Sequence, residues 1–193
     1  MSDALRWFFR RTMAGLVLLV LLATPVIGAV AYSAPTLGEP FPIADDPAPF
    51  EWFPAVAHDT QHHRFLVVFQ DNLAITAVCL SGQGQHVMGY NVTTNGSNPD
   101  VVYNEGHDQY LIVWQEGAVI RGARLPADCE PGTMSPSFAI SGDRTGSQWG
   151  PRVAYNSHGA HQDYLVVWTD YDKRTAVWAC NASVGIGETP PMS

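Results

Sequence analysis

The chain has 193 residues, 10 of them basic and 18 acidic, for a formal charge of −8. That length allows one or two domains. The acidic balance makes nucleic acid a poor partner, because binding a phosphate backbone needs a positive face; what it supplies is solubility.

Residues 1–33 stand apart. Arg6, Arg10 and Arg11 form a basic head, and an uncharged, mostly apolar run follows from Ala14 to Ser33. Ala29-Val30-Ala31 and Ala31-Tyr32-Ser33 both fit a small-x-small cleavage rule. The run is also near the ~20 residues that span a bilayer. This segment is expected to be a signal peptide or a single transmembrane anchor helix, with Pro25 and Gly28 favouring cleavage. Either way the bulk of the chain is expected outside the cytoplasm, secreted or membrane-anchored, and any membrane association runs through this helix. Without Arg6, Arg10, Arg11 and Asp3 the remainder keeps 7 basic and 17 acidic residues, a charge of −10.

Residues 34–40 read as a linker. From 41 to 183 strand signals dominate, and no segment keeps a 3.6-residue period, so almost no helix is expected. Residues 184–193 are Gly- and Pro-containing and read as a flexible tail.

Three stretches of the 41–183 region say nearly the same thing. Pro54-Ala55-Val56-Ala57-His58 leads to Phe65-Leu66-Val67-Val68-Phe69. Pro99-Asp100-Val101-Val102-Tyr103 leads to Tyr110-Leu111-Ile112-Val113-Trp114, and Pro151-Arg152-Val153-Ala154-Tyr155 leads to Tyr164-Leu165-Val166-Val167-Trp168. The spacing is 45 and then 52 residues, which marks a repeat architecture. Each repeat reads as strands: the Pro-led run, the Leu-Val-Val-Trp run buried on both faces, a third at Ala74–Leu80, Val119–Leu125 or Thr175–Ala182, and a fourth at Met88–Thr93 or Ser137–Ser141. The third repeat lacks its fourth strand. Residues 41–54 align without gaps on 138–151, with Phe41, Ile43, Asp46, Trp52 and Pro54 matching Phe138, Ile140, Asp143, Trp149 and Pro151. The chain is therefore expected to begin with a last strand, the offset that closes circular folds.

The pattern Pro-x-Val-Ala-Tyr-Asn, then Tyr-Leu-Val-Val-Trp, resembles the blades of bacterial β-propeller repeat proteins of kelch-like and sialidase-like type, over about residues 41–183. The first repeat departs from it at His58 and Phe69, the third after Asp170. The resemblance implies an all-β, partial or oligomer-completed β-propeller of three four-stranded blades. Propellers have 4–8 blades. Three blades leave three possibilities: two chains completing a ring, an open arc capped by a partner protein, or a fragment of a longer propeller. Ser141 to Trp149 resembles the sialidase-type Asp-box turn with one residue too many; in that family the box is structural.

Candidate chemistry is sparse. His58, His62, His63, His107, His158 and His161 fall in the turns after the first strand of each repeat, with Asp59, Asp108 and Asp163. Imidazole and carboxylate could hold a divalent ion there, but turns on separate blades are expected ~15–20 Å apart. His158 and His161 are the best local metal pair. Asp71, Glu116 and Asp170 follow the second strand of each repeat and are expected mainly to cap it; as paired carboxylates they are the candidates for a ligand site or glycosidase chemistry. No Ser elbow, phosphate loop or HExxH occurs. Trp114 and Trp168 are expected in the core, Trp52 and Trp149 packed at blade junctions, and Trp178 free to bind a ligand. Cys79, Cys129 and Cys180 lack metal-type spacing and are expected to be small core residues or one disulfide of open pairing. No cofactor is implied. The expected role is a non-catalytic binding or scaffold module, or an accessory subunit of a cell-envelope assembly; the alternative is a carbohydrate-binding lectin, with a propeller glycosidase third.

Overall fold

The computed structural model describes residues 38–44, 50–142, 146–157 and 163–170, together with the backbone of a strand at 176–182. The chain divides into two units, Met1–Phe41 and Pro42–Ser193, and every described strand lies in the second. The N-terminal signal or anchor, His158, His161 and the C-terminal tail lie outside the described residues, as does the Asp143–Thr145 part of the box-like turn.

The described chain is all-β, in three antiparallel sheets of four, four and three strands. Sheet 1 runs β1 (Glu51–Asp59), β2 (Arg64–Asp71), β3 (Ala74–Ser81) and β4 (His86–Thr93). Sheet 2 runs β5 (Ser97–Asn104), β6 (Gln109–Glu116), β7 (Val119–Pro126) and β8 (Phe138–Ala139), and sheet 3 runs β9 (Gln148–Asn156), β10 (Asp163–Asp170) and β11 (Ala176–Ala182). Each sheet is an up-and-down meander in chain order. Short turns force that order: Asn72 and Gly117, both with positive φ, sit at equivalent positions in the tight links after β2 and β6. Among the described residues no helix is long and apolar enough to cross a membrane.

One irregularity recurs in all three repeats. Phe53, Asn98 and Gly150, each immediately before the repeat proline, have φ of 53°, 52° and 60°. β1, β5 and β9 each slip register against their neighbour at this point. The slip is a bulge, which re-aims the residues ahead of it. It corrects one expectation: Trp52 and Trp149, just before the bulge, are 49% and 44% exposed rather than packed away at blade junctions. Trp114 and Trp168 are buried as expected.

The sheets stack face to back. Residues directly opposite on paired strands share a face, so Leu66 and Val68 of β2 lie with Ala57 and Ala55 of β1. That face packs on Val101, Tyr103, Tyr110, Ile112 and Trp114 of sheet 2. The other face of sheet 2, with Val102, Leu111 and Val113, packs on Val153, Tyr155, Tyr164, Val166 and Trp168 of sheet 3. The two seams are built from the same repeat positions. In the first, packing is close: a Cβ at Gly96 would come within 2.7 Å of Thr93 and 2.8 Å of both Ile75 and Trp114.

Two further expectations change. Residues 41–44 form no strand, and among the described residues β11 has β10 as its one neighbour, so no described residue from the front of the chain completes the third sheet. The open cysteine pairing resolves as Cys79–Cys129, with Cα atoms 6.5 Å apart, joining β3 to the segment after β7. Cys180 lies in β11 opposite Val166.

Candidate functional site

The turns at one end of sheets 1 and 2 meet. Asp59 closes β1 and is fully buried. Its Oδ1 accepts the backbone N–H groups of Gln61 at 2.8 Å and His62 at 3.0 Å, and its Oδ2 lies 2.8 Å from His62 Nδ1. Asp108, from the corresponding turn of sheet 2, places Oδ1 3.5 Å from the same ring nitrogen. The Tyr103 hydroxyl donates to that Asp108 oxygen at 2.9 Å. The expected separation of ~15–20 Å is therefore wrong for neighbouring turns: atoms of Asp59, His62 and Asp108 all lie within 4.8 Å of one another. Stacked sheets bring equivalent turns edge to edge, and the side chains close what remains. A cue was present in the sequence, since the same turn carries both an Asp and a His.

Burial pushes the Asp59 carboxyl up, but the N–H donors of His62 and Gln61, the His62 ring and the Tyr103 hydroxyl outweigh it and hold it below the usual carboxylate range. Tyr103 is raised by burial and then by its bond to Asp108. Tyr110 is raised by burial and then by the negative charge of Asp59. Its hydroxyl is buried without a hydrogen-bond partner. At the equivalent place one seam along, Asn104 donates to the Tyr164 hydroxyl at 2.9 Å. Asp59 stands where Asn104 stands, but its oxygens are engaged by Gln61 and His62 and not by the Tyr110 hydroxyl.

Chemically, two carboxylates and an imidazole at these distances could share one divalent ion. Each of the three is also bonded within the turn network, and His62 and Asp108 remain partly open to solvent. Beside this cluster a cleft of about 330 Å³ opens between β1, β5 and β9, lined by Val56, His58, Thr60, Val102, Glu105 and Tyr155.

The other sequence candidates fall elsewhere. Asp71, Glu116 and Asp170 end β2, β6 and β10, at the far end of those strands from the turn cluster. Asp71 accepts from Asn72 Nδ2 at 3.0 Å. Glu116 Oε2 accepts from Trp114 Nε1 and Thr93 Oγ1, both at 3.2 Å, and Oε1 lies 3.5 Å from Arg121 Nε. Asp170 is buried opposite Gln148. Trp178 lies in β11 opposite Trp168, and its side chain is outside the described residues. No protein-family model matches the chain, and no curated protein matches it.

Proposed function

We propose that the chain is an exported, non-catalytic binding or scaffold module of β-propeller type, its three sheets standing as blades around an axis lined by β1, β5 and β9. The observation that carries this reading is the twofold use of one seam, back of one sheet on front of the next, made from the same repeat positions. Radial repetition of that seam is how propellers are built. The Glu116 carboxylate supports a structural rather than catalytic role, because three neighbours already hold it. The Cys79–Cys129 bond supports an oxidising, extracytoplasmic setting, since disulfides persist there. With the basic and apolar head, it fits an accessory subunit of a cell-envelope assembly.

A second reading, carbohydrate binding, is favoured by the aromatic surface at the start of β1, where Phe50 and Trp52 stack with centroids 5.7 Å apart and both are exposed. Sugars bind on such open rings.

Fractionation of cells making the full chain, with thiols blocked at lysis, tests the setting. The expected result is an extracytoplasmic chain with Cys79 and Cys129 oxidised. A panel of chromogenic glycosides tests the chemistry, with no turnover expected; turnover lost in Glu116→Gln or Asp71→Asn would overturn the non-catalytic reading. Retention on a glycan array that is lost in Trp52→Ala would select the carbohydrate reading.

A further inference from the structure

Each sheet has two faces, and among the described residues four of the six pack against another sheet. One kind of face carries Leu66 and Val68 in sheet 1, Leu111 and Val113 in sheet 2, and Leu165 and Val167 in sheet 3. The other kind carries Val56, Phe65, Val67 and Phe69 in sheet 1, then Val101, Tyr110, Ile112 and Trp114, then Val153, Tyr164, Val166 and Trp168. Within the chain, first kind meets second kind twice. Among the described residues, one face of each kind has no sheet against it: the first on sheet 3 and the second on sheet 1.

Exposure marks the same two faces. Leu66 and Leu111 are 0% and 1% exposed, whereas Leu165 at the equivalent position is 48% exposed. Val101 is 6% exposed, whereas its equivalent Val56 is 61% exposed. β2 and β6 are buried on both faces, while β10 alternates buried with open positions although its sequence is nearly the same. On sheet 1 the middle strands of the leftover face, β2 and β3, are covered, with Ala44 packed against Val67, Phe69, Val78 and Leu80. The open parts are the flanking strands, at Val56 and His58 of β1 and at Gly89 and Asn91 of β4.

We infer that a second copy of this chain completes the ring, with the Leu165 face of sheet 3 in each copy packing on the Val56 face of sheet 1 in the other. The inference rests on the propeller-type reading above. A second copy is the occupant the structure favours because it alone is certain to offer both complementary faces, already paired twice within the chain. Two copies give six sheets, inside the range that surrounds an axis, and a twofold axis relates the two new seams so that each face meets its complement. Sequence equivalence adds a strand exchange. Ile43 matches Ile140, which follows β8 on the outer edge of sheet 2. In the ring the segment around Ile43 leaves its own sheet 1 and lies along β11 of the other copy. This would supply the fourth strand that sheet 3 lacks among the described residues.

The test is the mass of the full-length chain in mild detergent, by light scattering and native mass spectrometry, with two single variants. Val56→Asp and Leu165→Asp each place a charge in both new seams at a position already open in the chain, so both should keep their strand signal in circular dichroism and their Cys79–Cys129 bond. The wild type is expected at two chains and each variant at one. Mixed one to one, the variants are expected to form a two-chain species holding one of each, because one seam is then wild type on both sides. A wild type at one chain, or at any number other than two, overturns the inference. So do variants that stay at two chains, or a mixture that stays at one. None of these outcomes touches the non-catalytic reading, which fails on turnover.

Discussion

Cys79 of β3 is bonded to Cys129, 50 residues on, and so pins sheet 1 to the segment leaving sheet 2. The bond spans the first of the two seams and closes a long loop. On the chain-entropy account a loop of that size contributes about 4 kcal/mol by restricting the unfolded chain. Reduction, or the double variant Cys79→Ala/Cys129→Ala, is expected to lower stability by up to that amount. Urea unfolding followed by tryptophan fluorescence, with and without reductant, measures it. An unchanged midpoint would mean that the seam holds without the bond.

Glu116 is expected to behave as a structural residue. Its carboxylate accepts from the buried Trp114 indole N–H and from Thr93. Glu116→Ala leaves the indole unpaired in the core, at a cost of about 1–3 kcal/mol. Glu116→Gln restores an acceptor and should recover most of that loss. If Glu116→Ala unfolds at the wild-type urea concentration, the residue is free for another role.

Asp59 makes stability depend on pH. Its folded carboxyl titrates below the ordinary value of 3.8 because hydrogen bonds to the charged form outweigh burial. A depressed carboxyl contributes stability that is fully present above the unfolded value and is lost as pH falls through the folded one. Urea midpoints from about pH 6 to about pH 2 should therefore fall at the acid end. Asp59→Asn should remove part of that fall. It should also be tolerated, because Asn104 at the equivalent place donates to Tyr164 and an amide at 59 can do the same for Tyr110. A slope as steep as wild type in Asp59→Asn would show that other groups carry the dependence.

Much of this build was legible before any coordinates. The runs around Val67, Ile112 and Val166 name β2, β6 and β10, because short β-branched stretches between turn residues have few other uses. Trp114 and Trp168 were placed in the core by repeat register alone. What failed was set by single backbone events or by distance. The bulges at Phe53 and Gly150 turn Trp52 and Trp149 outward, and a period of two along the strand gives no sign of them. The Asp59–His62–Asp108 cluster depends on how closely two neighbouring turns approach, a quantity that repeat spacing does not contain. The Cys79–Cys129 pairing depends on the same approach.

The account turns on the two unmatched faces. Chains carrying Val56→Cys and Leu165→Cys together, in a Cys180→Ser background, can be treated with a short bis-maleimide and their mass read under denaturing conditions. At the two seams within the chain the equivalent residues, Leu66 with Val101 and Leu111 with Val153, lie in shared clusters. The account predicts a covalent product of two chains that is absent when either cysteine is omitted. A product confined to the mass of one chain would contradict it.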